Sequence, residues 1–205
     1  TLLPKFMTSD RPFYRAIGPD SFRRGDYLIE SVQKSDSEEI RTWRNEQLST
    51  LRQGNPLTQG EQSAYFDELI RQDFPKRQPE KILVRFLLEG YLIGYGGIVH
   101  IDWHNLQGEV SFLLETSRTS NHAKYTDELF TFFQLIKKVA FETLMLNKLT
   151  CEAYAHREYH VEAIESAGFT REGILRQQTK INGVWTDAVV SSCLRSEYLN
   201  FKKLD

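Results

Sequence analysis

The chain has 205 residues, 26 Lys+Arg against 28 Asp+Glu, and a net charge of -2. That length suits one domain with a core large enough to stand without disulfide or metal staples. No basic excess marks a nucleic-acid partner held through its phosphates, and no apolar run has the length that spans a bilayer. The richest apolar stretch, from Phe130 to Leu144, is interrupted by Gln134, Lys137, Lys138 and Glu142. Cys151 and Cys193, the two cysteines, fall in strand-like runs and read as buried, reduced thiols. No secretory signal is visible, so a cytoplasmic location is expected.

Residues 1–26 mix Pro, Gly, Ser, Asp and Arg without a period and read as an N-terminal arm or a poorly ordered lead-in. The domain is expected over residues 27–200. A first strand is predicted from Tyr27 to Val32. Ser35, Asp36 and Ser37 offer N-caps to a helix carrying Ile40 and Trp43. Asn55-Pro56 breaks the chain, and Thr58 opens a second helix through Tyr65, Leu69 and Ile70. Three strand-like runs follow: Lys81 to Gly90, Tyr91 to Ile101 and Gly108 to Glu115. Glu89-Gly90 and the segment from His104 to Gly108 turn the chain between them. The longest helix carries Phe130, Phe133, Ile136, Ala140, Phe141 and Leu144 on one face. A strand from Leu149 to Ala155, a short helix from Tyr159 to Ala167 stopped by Gly168, and a hairpin turning at Asn182-Gly183 complete the order. The expected class is α/β (α+β): a mixed, mostly antiparallel twisted sheet with flanking helices. Its one parallel step is expected where the long helix crosses over.

That order resembles the GCN5-related N-acetyltransferase (GNAT) fold, and particular residues sharpen the likeness. Gly168-Phe169, Glu172-Gly173, Leu175-Arg176, then Gly183, Trp185 and Asp187 resemble the C-terminal signature of one branch. That branch holds the ribosomal-protein N-terminal and nucleotide-amino-sugar acetyltransferases. Trp43-Arg44-Asn45 and the strand LIGYGGIVHID resemble it too, and the likeness runs over residues 27–196. It implies acetyl-CoA as the acyl donor, no metal, and direct transfer to a primary amine on a small molecule. A nucleotide-linked amino sugar is the expected acceptor. A protein N-terminal amine acetyltransferase and a degenerate GNAT domain that only binds are the alternatives. A homodimer through an edge strand is expected by analogy of fold.

The resemblance also implies a splayed central strand pair, Glu109 to Leu114 beside Leu149 to Ala155. Backbone groups left open there, around Phe112, Leu113 and Leu114, would pair with the pantetheine arm of the donor. The family's glycine-bearing pyrophosphate loop should fall in SRTSNHAKYTDELF, which contains no glycine. Arg118, Ser120, Asn121, Lys124 and a helix N-terminus are the substitutes expected to hold the anion. The family's acid, a Tyr before Gly-Phe, would be Ile164, so Tyr159 or His160 is expected in its place. Tyr154 at the strand end is another candidate. Amide formation needs a base for the amine proton, and Glu109 is the expected one, with Ser111 on the same face to hold a water. Arg44, Asn45 and His100 are expected to face the acceptor. His100, Asp102 and His104 would share a face if all were extended, a spacing that invites a metal-site reading; a substrate contact at His100 is preferred.

Overall fold

The computed structural model describes residues 11–202. The first ten residues of the expected arm lie outside the described residues. The described elements comprise a sheet in the order β1-β2-β3-β4-β5-β6-β8-β7 with helices on both faces. Strands β2 (Tyr27–Ser31), β3 (Ile82–Leu88), β4 (Tyr91–Asp102) and β5 (Gln107–Leu114) form an antiparallel meander. The crossover from β5 to β6 (Lys148–Tyr154) runs through α3 (His122–Lys138) and produces the sheet's parallel pair. Strands β7 (Thr170–Ile181) and β8 (Val184–Leu194) close the sheet as a hairpin. Asn182 and Gly183 have φ of 49° and 85°, the positive pair that a two-residue hairpin turn demands.

The long helix is shorter than its apolar face suggests. It widens at Val139–Thr143 into a π-helical turn, where Leu144 N–H bonds the Val139 carbonyl and Arg195 donates to Phe141 O. Val139, Ala140 and Phe141 are fully buried, so packing keeps the apolar pattern going after the α-helical ladder has ended.

Residues 11–26 are not a free arm. Tyr14 is wholly buried, its ring 4.2 Å from that of Phe74, and its backbone N–H donates to Ser31 Oγ. β1 (Phe22–Arg24) pairs with β2 as an edge of the sheet. Three residues are too few to show an alternation, which is why the strand is invisible in the sequence. A last helix, α5 (Arg195–Phe201), follows β8 directly.

Phe86 of β3, Phe112 of β5 and Phe132 of α3 meet on one face, with ring centroids 5.4 and 4.8 Å from Phe132. Helices α1 (Ser37–Glu46) and α2 (Gln59–Gln72) cover the other face through Ile40, Trp43, Phe66 and Leu69. Thr58 caps α2 and shares a reciprocal capping box with Glu61. Gly96 in β4 sits where only a hydrogen fits. A Cβ there would lie 2.1 Å from Ser111 O and 2.8 Å from Phe132. This close approach seats α3 on the sheet and fixes the position of β5.

Candidate active site

The parallel pairing of β5 and β6 lasts three residues: Gln107, Gly108 and Glu109 against Lys148, Leu149 and Thr150. Beyond Glu109 the strands part. From Val110 to Leu114, β5 pairs with β4 on one side and has no strand partner on the other among the described residues. The gap opens a cleft of about 350 Å³. Helix α4 (Glu158–Ser166) packs against β6, while α1 abuts β5.

Alternation distributes the side chains. Glu109 and Ser111 point to the α1 side, as do Thr150, Glu152 and Tyr154; Val110, Phe112 and Cys151 point to the α3 side. Of the residues singled out in the sequence, Arg44, His100, Glu109, Ser111, Phe112, Tyr154 and His160 line the cleft. Glu109 accepts from Arg52 Nη2 at 2.9 Å and lies 3.1 Å from His100 Nδ1. The same Arg52 nitrogen is 3.0 Å from Glu152. Arg52, Glu152, Cys151 and Arg157 were not among the sequence candidates. No motif marks them, and two come from elements read only as a loop break and a helix lead-in.

His160 is buried, and Nδ1 lies 2.7 Å from Tyr125 Oη. Arg157 donates to that same hydroxyl. The Tyr125 proton is therefore free to point at Nδ1, which puts the imidazole proton on Nε2. Burial, with Arg157 adding to it, holds His160 well below the ordinary histidine value of 6.5, so the ring is neutral at pH 7. The sign of the linkage follows. Below about pH 6.5 the unfolded chain binds a proton that the folded imidazole refuses, so stability should fall as pH drops. Urea midpoints at about pH 5.5 and about pH 7.5 should differ more for the wild type than for His160→Asn. Cys151 is pushed up to about 12 by burial, with Glu109 opposing ionisation further. At neutral pH it is a thiol and a poor nucleophile.

Other candidates stand elsewhere. Asn45 does not line the cleft. Its amide clasps the α1–α2 connection, donating to Leu57 O and accepting from Leu57 N–H. Tyr159 also lies outside the lining; its ring stacks on His122 with centroids 4.3 Å apart. Arg118 is not open to a phosphate. It pairs with Glu115 and with Glu128, whose side chain is wholly buried and whose carboxyl burial pushes up. Arg118 thus clamps the β5–α3 connection. Asn121 caps α3 by accepting from Lys124 N–H, while Ser120, His122 and Lys124 are exposed around that first turn. Leu113 and Leu114 are buried and do not line the cleft.

The triad His100, Asp102, His104 does not share a face. A register shift between Val99 and Asp102, with φ of 51° at His100, breaks the alternation. Asp102 accepts from the N–H groups of His104 and Asn105 and closes the turn.

A splayed parallel pair behind an antiparallel meander, a crossover helix between the two strands, and a cleft lined by Glu109 and Glu152 define an acyl-transfer fold of the GNAT class. The model of the GNAT acetyltransferase domain matches residues 29–190, and the chain belongs to that family. The probable N-acetyltransferase YjcK of Bacillus subtilis (strain 168) is 34% identical over 64 residues, 31% of this chain and 35% of that protein. The match therefore spans about a third of that relative's length. Among solved structures, the Vibrio cholerae spermidine N-acetyltransferase in complex with CoA and spermine aligns with a TM-score of 0.76 at 18% identity. The alignment covers 86% of this chain and all of that one. A dodecameric form of the same enzyme aligns with a TM-score of 0.66 at 17% identity, over 87% and 99% of the two chains. These likenesses concern the fold. Among the described residues, no helix is long and apolar enough to cross a membrane.

The donor of this family is acetyl-CoA, and the cleft fits its pantetheine arm. The unpaired side of β5 from Val110 to Leu114 offers backbone N–H and C=O groups to an amide-bearing chain. Ser120 and Lys124 are exposed at the start of α3, in a segment that holds no glycine.

Proposed function

We propose that the protein transfers an acetyl group from acetyl-CoA to a small, positively charged amine by direct attack. The observation that carries this reading is the cleft itself. An open β5 edge for the donor meets a wall of carboxylates, Glu109 and Glu152, on the acceptor side. Acetyl-CoA supplies an acyl group already activated as a thioester. Glu109 takes the proton of the incoming ammonium, with Ser111 beside it on the same face. Open N–H groups of β5 near Leu113 hold the donor's carbonyl oxygen. His160, neutral and protonated on Nε2, serves as hydrogen-bond donor to the departing sulfur, in place of the family's tyrosine. Lys124, Ser120 and the first turn of α3 receive the diphosphate. Cys151 is not a way-station for the acyl group, since its thiol stays protonated.

The acceptor wall argues against the nucleotide-linked amino sugar expected from the sequence. Where Arg52 now pairs with Glu109 and Glu152, the two carboxylates would attract an alkylammonium and repel a nucleotide diphosphate; Arg44 and Arg157 line the cleft as well. The Vibrio cholerae neighbour, named for spermidine, is in keeping with a cationic acceptor.

A thermal-shift titration tests the reading. Acetyl-CoA at a hundredfold excess over its Kd should stabilise the protein by about 2.7 kcal/mol, and ATP should not. Mass spectrometry of a reaction with spermidine should show one added acetyl group. No shift with millimolar acetyl-CoA would remove the acetyltransferase reading for this chain.

A further inference from the structure

Glu109 and Glu152 belong to different strands, yet both converge on one nitrogen. Arg52 Nη2 lies 2.9 Å from Glu109 Oε1 and 3.0 Å from Glu152 Oε2. The sheet dictates this convergence. Glu109 is in register with Thr150, and Glu152 follows Thr150 by two residues on the same face. Arg52 belongs to neither strand. It reaches in from the α1–α2 connection, and the two carboxylates are the partners of its guanidinium.

The loop does not depend on that contact. Its neighbour Gln53 anchors it, accepting from Arg44 Nε at 2.8 Å and donating to Asn45 Oδ1 at 3.1 Å and Asn55 O at 2.8 Å. The guanidinium can therefore swing out while the loop keeps its place. The Arg52 side chain is 50% exposed, so the two ion pairs hold it weakly.

We infer that Arg52 is an internal stand-in for the acceptor. The point occupied by its Nη2 is an ammonium subsite built by Glu109 and Glu152, and the acceptor enters it as an alkylammonium that displaces Arg52. This inference rests on the acetyltransferase reading and names the acceptor class for it. With the guanidinium gone, two carboxylates face one monocation, so an amine with further positive charge is preferred. The bound ammonium gives its proton to Glu109: an N–H bond breaks, an O–H bond forms on the carboxylate, and the nitrogen lone pair is released for attack. Glu152 remains ionised and keeps the rest of the acceptor in place. Arylamines, neutral at pH 7, and anionic amines are poor ligands for such a point.

The test compares wild type, Arg52→Ala and Arg52→Lys, with spermidine and a UDP-linked amino sugar as probes. Arg52→Ala should lower KM for spermidine by about tenfold, with kcat within about twofold, because a competitor has been removed. Arg52→Lys should return KM toward the wild-type value. Calorimetry of spermidine binding without acetyl-CoA should show the same tightening in Arg52→Ala. An unchanged or lowered spermidine affinity in Arg52→Ala overturns the inference. So does selective loss of turnover of the UDP-linked sugar, which would make Arg52 the holder of an anion. The calorimetric arm needs no acyl donor, so failure of the subsite and failure of the acetyltransferase reading are separable.

Discussion

Glu109→Gln should lower kcat/KM for amine acetylation by about 10² to 10⁴, the range a positioned general base contributes. Gln keeps the shape and still accepts from Arg52, so the fold and the binding of acetyl-CoA should persist. The loss should be greatest near neutral pH, where the acceptor is almost wholly protonated. It should shrink as pH approaches the acceptor's own value near 10, where free amine is present without help from the enzyme. A pH–rate profile therefore separates a base from a merely structural carboxylate. If Glu109 only braced Arg52, the loss would not depend on pH in this way. His100, 3.1 Å away, is the other group able to take that proton. A profile of Glu109→Gln as deep as that of the wild type would assign the role to His100.

Gly96→Ala should cost about 3 kcal/mol, at the upper end for overpacking, because the atoms it meets are largely backbone. The new Cβ would lie 2.1 Å from Ser111 O and 3.0 Å from Phe112 Cα, and Phe132 closes the remaining space at 2.8 Å. Neither partner strand nor helix can yield alone. In a chain of this size that loss is roughly 6 to 12 °C in the thermal midpoint. The same displacement would push β5 toward the gap and narrow the cleft beside Ser111. Activity should therefore fall by more than the unfolded fraction accounts for, measured at a temperature well below the midpoint. A variant with wild-type midpoint would mean that β5 is not held as tightly as the contact implies.

Much of this architecture is legible in the order of residues. The alternation of LIGYGGIVHI, the 3.6 period from Phe130 to Leu144 and the Asn182-Gly183 turn each name an element without help from the rest of the chain. Local chemistry was enough there, because a hairpin turn needs positive φ at two adjacent residues and an amphipathic helix needs an apolar stripe. β1 and α5 escaped because three and seven residues carry too little periodicity. The lead-in reads as loose because its apolar residues, Phe13, Tyr14, Ala16 and Ile17, follow neither a strand nor a helix period, and only the contact with Phe74 shows that Tyr14 is part of the core.

The site divides along the same line. The structure places Glu109, Ser111 and Phe112, expected from the family likeness, in the cleft lining, since they lie on one strand whose register the hairpin sets. The pairing of Arg118 was not legible, because it depends on Glu128, buried in α3 beyond the loop. Asn45 turns from the cleft for a similar reason: its amide bonds Gln53 and Leu57, on either side of the Asn55-Pro56 break. By itself, then, the sequence determined the element order, the family, and which strand carries the candidate base, all of which follow from short-range pattern. Tertiary structure alone decided that Arg52 stands between Glu109 and Glu152, that burial and Arg157 keep His160 neutral, and that Tyr125 meets its Nδ1. Each of these joins side chains from separate elements, and such partners meet only when sheet register and helix packing bring them within a few ångströms.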